Sequence, residues 1–166
     1  MNLYLARHAS AGKIGGGVSR DADRSLTVNG KEEAELVGKT LARIEPSISA
    51  VVTSPLVRAV QTGKIIARQM SNHLVFKSSV NLSPGFRHKA LLEELLAIGG
   101  NILAIGHEPD MSKIVSYLIA DSSAASIRME TSAVANVELT SSASNYDAQL
   151  KWLLTPALIR RIHPQV

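Results

Sequence analysis

Residues 48 to 70, ISAVVTSPLVRAVQTGKIIARQM, change their periodicity part-way along. The first six are small or β-branched, as in a strand buried within a sheet. From Ser54-Pro55 onward the apolar positions recur at helical spacing. Serine as N-cap and proline at the first helical position form a helix-start signature, so a strand at 48 to 53 and a helix over 54 to 70 are predicted. Strand gives way to helix within two residues, which marks a βα unit.

Working outward, the same alternation covers the chain. NLYLA (2 to 6) is a short buried strand, followed at 9 to 25 by a long loop rich in Gly, Ser, Asp and Arg. Gly15, Gly16 and Gly17 lie in that loop, but the P-loop spacing and its Lys-Ser/Thr ending are absent, so they read as a loop and not a phosphate cradle. From Thr27 a helix is predicted, with Ala34, Val37, Leu41 and Ile44 on its apolar face. Its cap is Thr27, or Asn29 with Glu32 in capping-box position. HLVFKSSVNL (73 to 82) reads as a weak strand and HKALLEELLAIGG (88 to 100) as a helix ended by glycines. NILAIG (101 to 106) is a buried strand, and PDMSKIVSYLIA (109 to 120) the helix after it. SAVANVELT and QLKWLLT alternate as an antiparallel hairpin at one sheet edge. The prediction is a three-layer α/β/α sandwich with a mostly parallel central sheet and an antiparallel edge.

The 166 residues suit one domain, 1 to 166, with no repeat, low-complexity tract or linker. No apolar run reaches the roughly 20 residues that span a bilayer, and no signal peptide is recognisable, so the expected address is the cytoplasm and no membrane partner is expected. With no cysteine, thiolate chemistry and disulfides are excluded. A net charge of +4 suggests an anionic partner. Aromatics make up only 4% and no long basic run occurs, which argues against nucleic acid.

In a parallel sheet, ligands sit beyond the carboxyl ends of the strands, so residues that follow different strands can meet. The first strand ends in Arg7-His8, the second leads to Arg58 one turn into its helix, and NILAIG ends in His107. Such a cluster repels itself unless an anion lies at its centre. Two guanidinium forks, two imidazoles and a helix start suit a tetrahedral phosphoryl group. His8 is the candidate nucleophile, with one ring nitrogen held as N–H by a backbone carbonyl of the following loop and the other attacking phosphorus to form a covalent phosphohistidine. Arg7, Arg58 and His107 bind the phosphoryl oxygens and offset charge in the transition state. Since the arginines take the role a metal has elsewhere, no metal or cofactor is expected.

RHA (7 to 9), TSPLVRAVQT (53 to 62), GHEP (106 to 109), RSLTVNG (24 to 30) and METSAVANVEL (129 to 139) together resemble the histidine phosphatase superfamily of phosphoglycerate mutase-like fold. The resemblance covers nearly the whole chain and is closest to the compact SixA-type phosphohistidine phosphatases. It implies a metal-independent phosphohydrolase whose pocket is Arg7, His8, Arg58 and His107, with His8 phosphorylated during the cycle. The family usually has glycine where this chain has Ala9, a change that would narrow the backbone's approach to phosphate. Larger members carry a proton-donating acid on an insertion for which this chain has no counterpart. Glu108 and Asp21 are the candidates for that role, each weighed against simple hydrogen bonding at a helix end or in a loop.

The leading expectation is hydrolysis of phosphohistidine in a signalling or phosphotransfer protein, releasing inorganic phosphate. A short chain without a lid leaves room for a protruding side chain, and a labile P–N bond tolerates a weak acid or none. The alternatives are a phosphatase for small phosphate esters and a non-catalytic module that binds phosphate or phosphoprotein. His73, His88 and His163 read as surface residues, and Glu93-Glu94 as the solvated face of a helix. Met70, Met111 and Trp152 read as packing.

Overall fold

The computed structural model describes residues 1–15, 19–70, 74–120, 125–141 and 146–164. Gly16, Gly17 and His73 lie outside the described residues. Six strands form one sheet: β1 (Asn2–Arg7), β2 (Ile48–Thr53), β3 (Val75–Ser78), β4 (Asn101–Gly106), β5 (Val134–Ser141) and β6 (Tyr146–Leu154). The spatial order is β3-β2-β4-β1-β5-β6. Strands β1 to β4 are mutually parallel, and β5 and β6 add the antiparallel edge. The helices are α1 (Val28–Ile44), α2 (Val57–Gln69), α3 (His88–Ile98), α4 (Asp110–Ala120) and α5 (Pro156–Ile162).

Because side chains alternate along a strand, the sheet divides the core in two. Leu3, Leu5, Val52, Ile102 and Ala104 face Leu91 and Leu95 of α3 and Ile114 of α4. Tyr4, Ala6, Val51, Leu103 and Ile105 face Val37 and Leu41 of α1, Ile66 of α2 and Ile159 of α5. That is the three-layer α/β/α sandwich the alternation predicts.

The details differ where a local signal competes with a tertiary one. Helix α2 begins at Val57, not Ser54, and its N-cap Leu56 has no capping side chain. Ser54 instead extends the β2 rim, since its N–H donates to the Ile105 carbonyl at 2.9 Å and its hydroxyl is 2.8 Å from His107 Nε2. Arg58 is therefore the second residue of α2 and not one turn along it. Helix α1 is capped by Thr27, whose oxygen accepts the Gly30 N–H at 3.0 Å, while the Asn29 amide turns to Glu33. Ile44 is exposed at the end of α1. Helix α5 follows the edge strand β6, beyond the last element that the sequence predicts. His163 is tied to Thr40, with Nε2 2.9 Å from the hydroxyl, and His88 makes an edge-on ring contact with Phe86 and a tilted one with Tyr117, so neither is simply a surface residue. Glu93 is exposed, but Glu94 turns inward to accept from Ser79 and Asn81 and to pair with Lys77.

One glycine fixes how α1 meets the loop after β1. A Cβ on Gly30 would lie 1.9 Å from the Ser10 carbonyl oxygen. Gly30→Ala is expected to push the Ser10 segment away and cost roughly 1–3 kcal/mol, read as a lower urea midpoint, with catalysis falling too because His8 is two residues from Ser10.

Candidate active site

The carboxyl ends of β1, β2 and β4 share one rim, and backbone hydrogen bonds carry the sheet one residue beyond each of the first two. His8 N–H donates to the Gly106 carbonyl at 3.1 Å, and Ser54 N–H to that of Ile105. Since β5 runs the other way, its entry segment arrives at the same rim. Arg7 Nη1 donates to the Met129 carbonyl at 3.0 Å, and Ser132 N–H to that of His8 at 3.3 Å. A cavity of about 450 Å³ opens there, lined among others by Arg7, His8, Arg24, Arg58 and His107. The structure thus brings together the four residues singled out in the sequence, Arg7, His8, Arg58 and His107, and Asp21 and Glu108 line the same cavity.

Within it the His8 and His107 rings are 5.0 Å apart between centroids. His8 Nδ1 is 2.7 Å from the carbonyl oxygen of Ala9, an acceptor only, so this nitrogen carries the ring proton. Nε2 must then accept, and it does so from Arg58 Nε–H at 3.1 Å. The rest of the Arg58 fork donates to the Asp21 carbonyl at 2.7 Å and the Asp21 carboxylate at 2.9 Å. Arg7 Nε and His107 Nδ1 are buried with no hydrogen-bond partner among the described residues. Among the described residues no cluster of three or more His, Asp or Glu is placed to hold a metal ion.

Burial dominates the electrostatics. It lowers His8 to a pKa of about 4, opposed by the Ala9 carbonyl and assisted by the Arg58, Arg7 and Arg24 charges. It lowers His107 to about 3, with His8 and Arg58 adding repulsion. Both rings are therefore neutral near pH 7, the form in which His8 Nε2 keeps its lone pair. The unfolded chain binds protons at these positions below its ordinary histidine pKa of roughly 6.5 that the folded chain refuses. Stability is thus at full value above that pH, declines as pH falls towards 4 and levels off below the folded-state values. Urea midpoints taken across this interval are expected to drop, and His8→Gln to flatten the upper part, where carboxylates hardly titrate.

The two acids are differently engaged. Hydrogen bonding from Arg24, assisted by Arg58, holds the half-exposed Asp21 carboxyl below the usual carboxylate range. Glu108 accepts from the Ser112 hydroxyl, from the Ser112 N–H at 3.2 Å and from the Met129 N–H at 3.0 Å, so it caps α4 and ties it to the segment before β5. Ala9 does not line the cavity. It is fully buried in the core layer beside α1, so its methyl does not narrow the phosphate's approach.

Three contributors escaped the sequence reading. Arg24 lines the cavity and braces the loop by donating to the Gly12 carbonyl at 2.5 Å. Ser54 faces His107. Thr62 takes the Ala9 N–H at 3.1 Å and donates to the Arg58 carbonyl at 2.7 Å, linking the loop after His8 to the first turn of α2 that carries Arg58. Arg24 had a signal in its basic charge on the loop after β1. The hydroxyls of Ser54 and Thr62 had none beyond their place in TSPLVRAVQT.

A cation-lined cavity at the carboxyl rim of a parallel sheet, with an imidazole lone pair directed to a guanidinium, defines an oxyanion site of phosphoryl-transfer type. The chain belongs to the histidine phosphatase superfamily, branch 1, whose family model matches residues 3–91. Phosphohistidine phosphatase SixA of Escherichia coli is 27% identical over 170 residues, 96% of this chain and 97% of that protein. An uncharacterized protein of Picosynechococcus sp. is 32% identical over 119 residues, 68% of this chain and 70% of its own length. A solved structure of the protein histidine phosphatase SixA complexed with tungstate superposes with a TM-score of 0.83 at 25% identity, covering 95% of this chain and 98% of that one. No helix among the described residues is long and apolar enough to cross a membrane.

Proposed function

We propose that this protein removes phosphoryl groups from histidine side chains of phosphorylated proteins through a phosphoenzyme formed on His8. The observation that carries the proposal is a neutral His8 with its proton on the Ala9 side, in a cavity shared with Arg7, Arg58 and His107. Arg58 releases His8 Nε2 and turns its fork to the phosphoryl oxygens. The Nε2 lone pair then forms a bond to phosphorus as the substrate's P–N bond breaks, and the leaving imidazole takes up a proton from solvent. Water next attacks the phosphoryl group on His8, which frees inorganic phosphate and restores the ring. Arg7, Arg58 and His107 hold the equatorial oxygens in both steps. The unit proposed to do this is the single domain 1 to 166. A cytoplasmic address belongs to the same reading, and the cysteine-free chain is compatible with it.

The engagement of the two acids supports a nitrogen leaving group. Asp21 is held in its deprotonated form by arginines, and both Glu108 oxygens already accept hydrogen bonds. An imidazole departs without general-acid help, whereas an alkoxide needs it, and that help is worth about 10²–10⁴-fold. The expected order of kcat/KM is phosphohistidine protein, then aryl phosphate, then alkyl phosphate, with at least about a hundredfold step to the last. Alkyl and aryl esters turned over at similar rates would point to a working proton donor and to small esters as substrates. Phosphate binding without any turnover would mark a binding module.

A further inference from the structure

Glu33 lies outside the cavity lining, on α1, with a side chain only 10% exposed. Its Oε2 accepts the Ser10 N–H at 3.0 Å and the Ser132 hydroxyl at 3.0 Å. Its Oε1 accepts the Ser10 hydroxyl at 3.0 Å and the Asn29 amide at 2.6 Å. Four donors come close to saturating a carboxylate. This is more than a helix needs of one residue in its second turn.

The Ser10 N–H belongs to the same peptide group as the Ala9 carbonyl, and that carbonyl is the acceptor for His8 Nδ1. A trans peptide is planar, with its N–H and C=O directed oppositely, so holding one end aims the other. If this peptide turned over, Glu33 would lose a donor and an N–H would face Nδ1. That nitrogen would then have to accept, the ring proton would move to Nε2, and the lone pair needed for attack would vanish. Ser132 repeats the arrangement on the other flank: its hydroxyl is on Glu33 and its N–H holds the carbonyl of His8 itself, from a backbone φ of 67°. A charged acceptor at one end of a peptide also strengthens its carbonyl as an acceptor.

We propose that Glu33 is a positioning residue for His8, acting through the Ala9–Ser10 peptide to keep the ring proton on Nδ1 and Nε2 free for phosphorus. The proposal rests on the reading of His8 as nucleophile. A purely structural Glu33, fastening α1 to the loop, would lower stability when replaced and leave the His8 tautomer alone.

The test uses the full chain with ¹⁵N-labelled histidine, as the parent and as Glu33→Gln and Glu33→Ala. Long-range ¹⁵N–¹H spectra near neutral pH report the tautomer, and rapid quench with p-nitrophenyl phosphate gives the rate of His8 phosphorylation. The parent is expected to show Nδ1–H only. Glu33→Ala should show a mixture of tautomers or Nε2–H, with phosphorylation slowed about tenfold or more and KM changed far less. Glu33→Gln, isosteric and keeping one acceptor oxygen, should fall between and decides the matter alone if the alanine variant does not fold. Retention of Nδ1–H with phosphorylation within about twofold of the parent would overturn the proposal. The tautomer comparison needs no substrate, so it judges the link from Glu33 even if His8 never takes a phosphoryl group, and the two failures are told apart.

Discussion

His8→Ala is expected to remove turnover of every substrate, by at least about 10³-fold, while the protein still folds. The ring has a lone pair held against a defined donor, Arg58 Nε at 3.1 Å, and a proton fixed on its other nitrogen. Two neighbouring hydroxyls are committed elsewhere: Ser10 to Glu33 and Ser54 to His107. The same variant should be less sensitive to acid, because the imidazole held near a pKa of 4 is no longer there to be protonated on unfolding. Activity lost together with the acid sensitivity of the fold separates a missing nucleophile from a damaged structure.

Arg58→Ala is expected to lower kcat by about 10²–10³-fold, or roughly 3–4 kcal/mol of transition-state stabilisation, with a smaller change in KM. Its guanidinium is buried and reaches His8 and both oxygen types of Asp21, so it spans the space a phosphoryl group must enter. Arg58→Lys should recover little. A single ammonium does not reproduce a planar fork, and a shorter set of donors cannot hold two phosphoryl oxygens at once. Steady-state kinetics on an aryl phosphate measures both variants. Loss confined to KM would mean that Arg58 only gathers substrate.

How much of this was legible depends on what sort of interaction places each residue. Arg7 ends a buried strand and His8 and His107 directly follow one, and a parallel sheet delivers such positions to one rim whatever the loops do. The α/β/α layers were legible for the same reason, from the change of period within residues 48 to 70. Ser54-Pro55 misled because it is a true helix-start signature, but the serine has a stronger use on His107 than on the helix. Helix α5 carried the same signature in Thr155-Pro156, and Thr155 does accept the Leu158 N–H at 3.4 Å. Its seven residues were too few for a periodic signal. Glu33 and Thr62 were not legible as site residues. Their effect comes from which way two peptide groups point, and side-chain patterning along the chain does not encode that.

The central claim is that His8 Nε2 takes the phosphoryl group. The most direct measurement is to mix the protein with a ³²P-phosphohistidine protein, quench within the first turnover, and map the label that survives base but not acid. The label is expected on His8 in the parent and nowhere in His8→Ala. Phosphate released at the parent's full rate with no label on His8, or release undiminished in His8→Ala, would contradict the account.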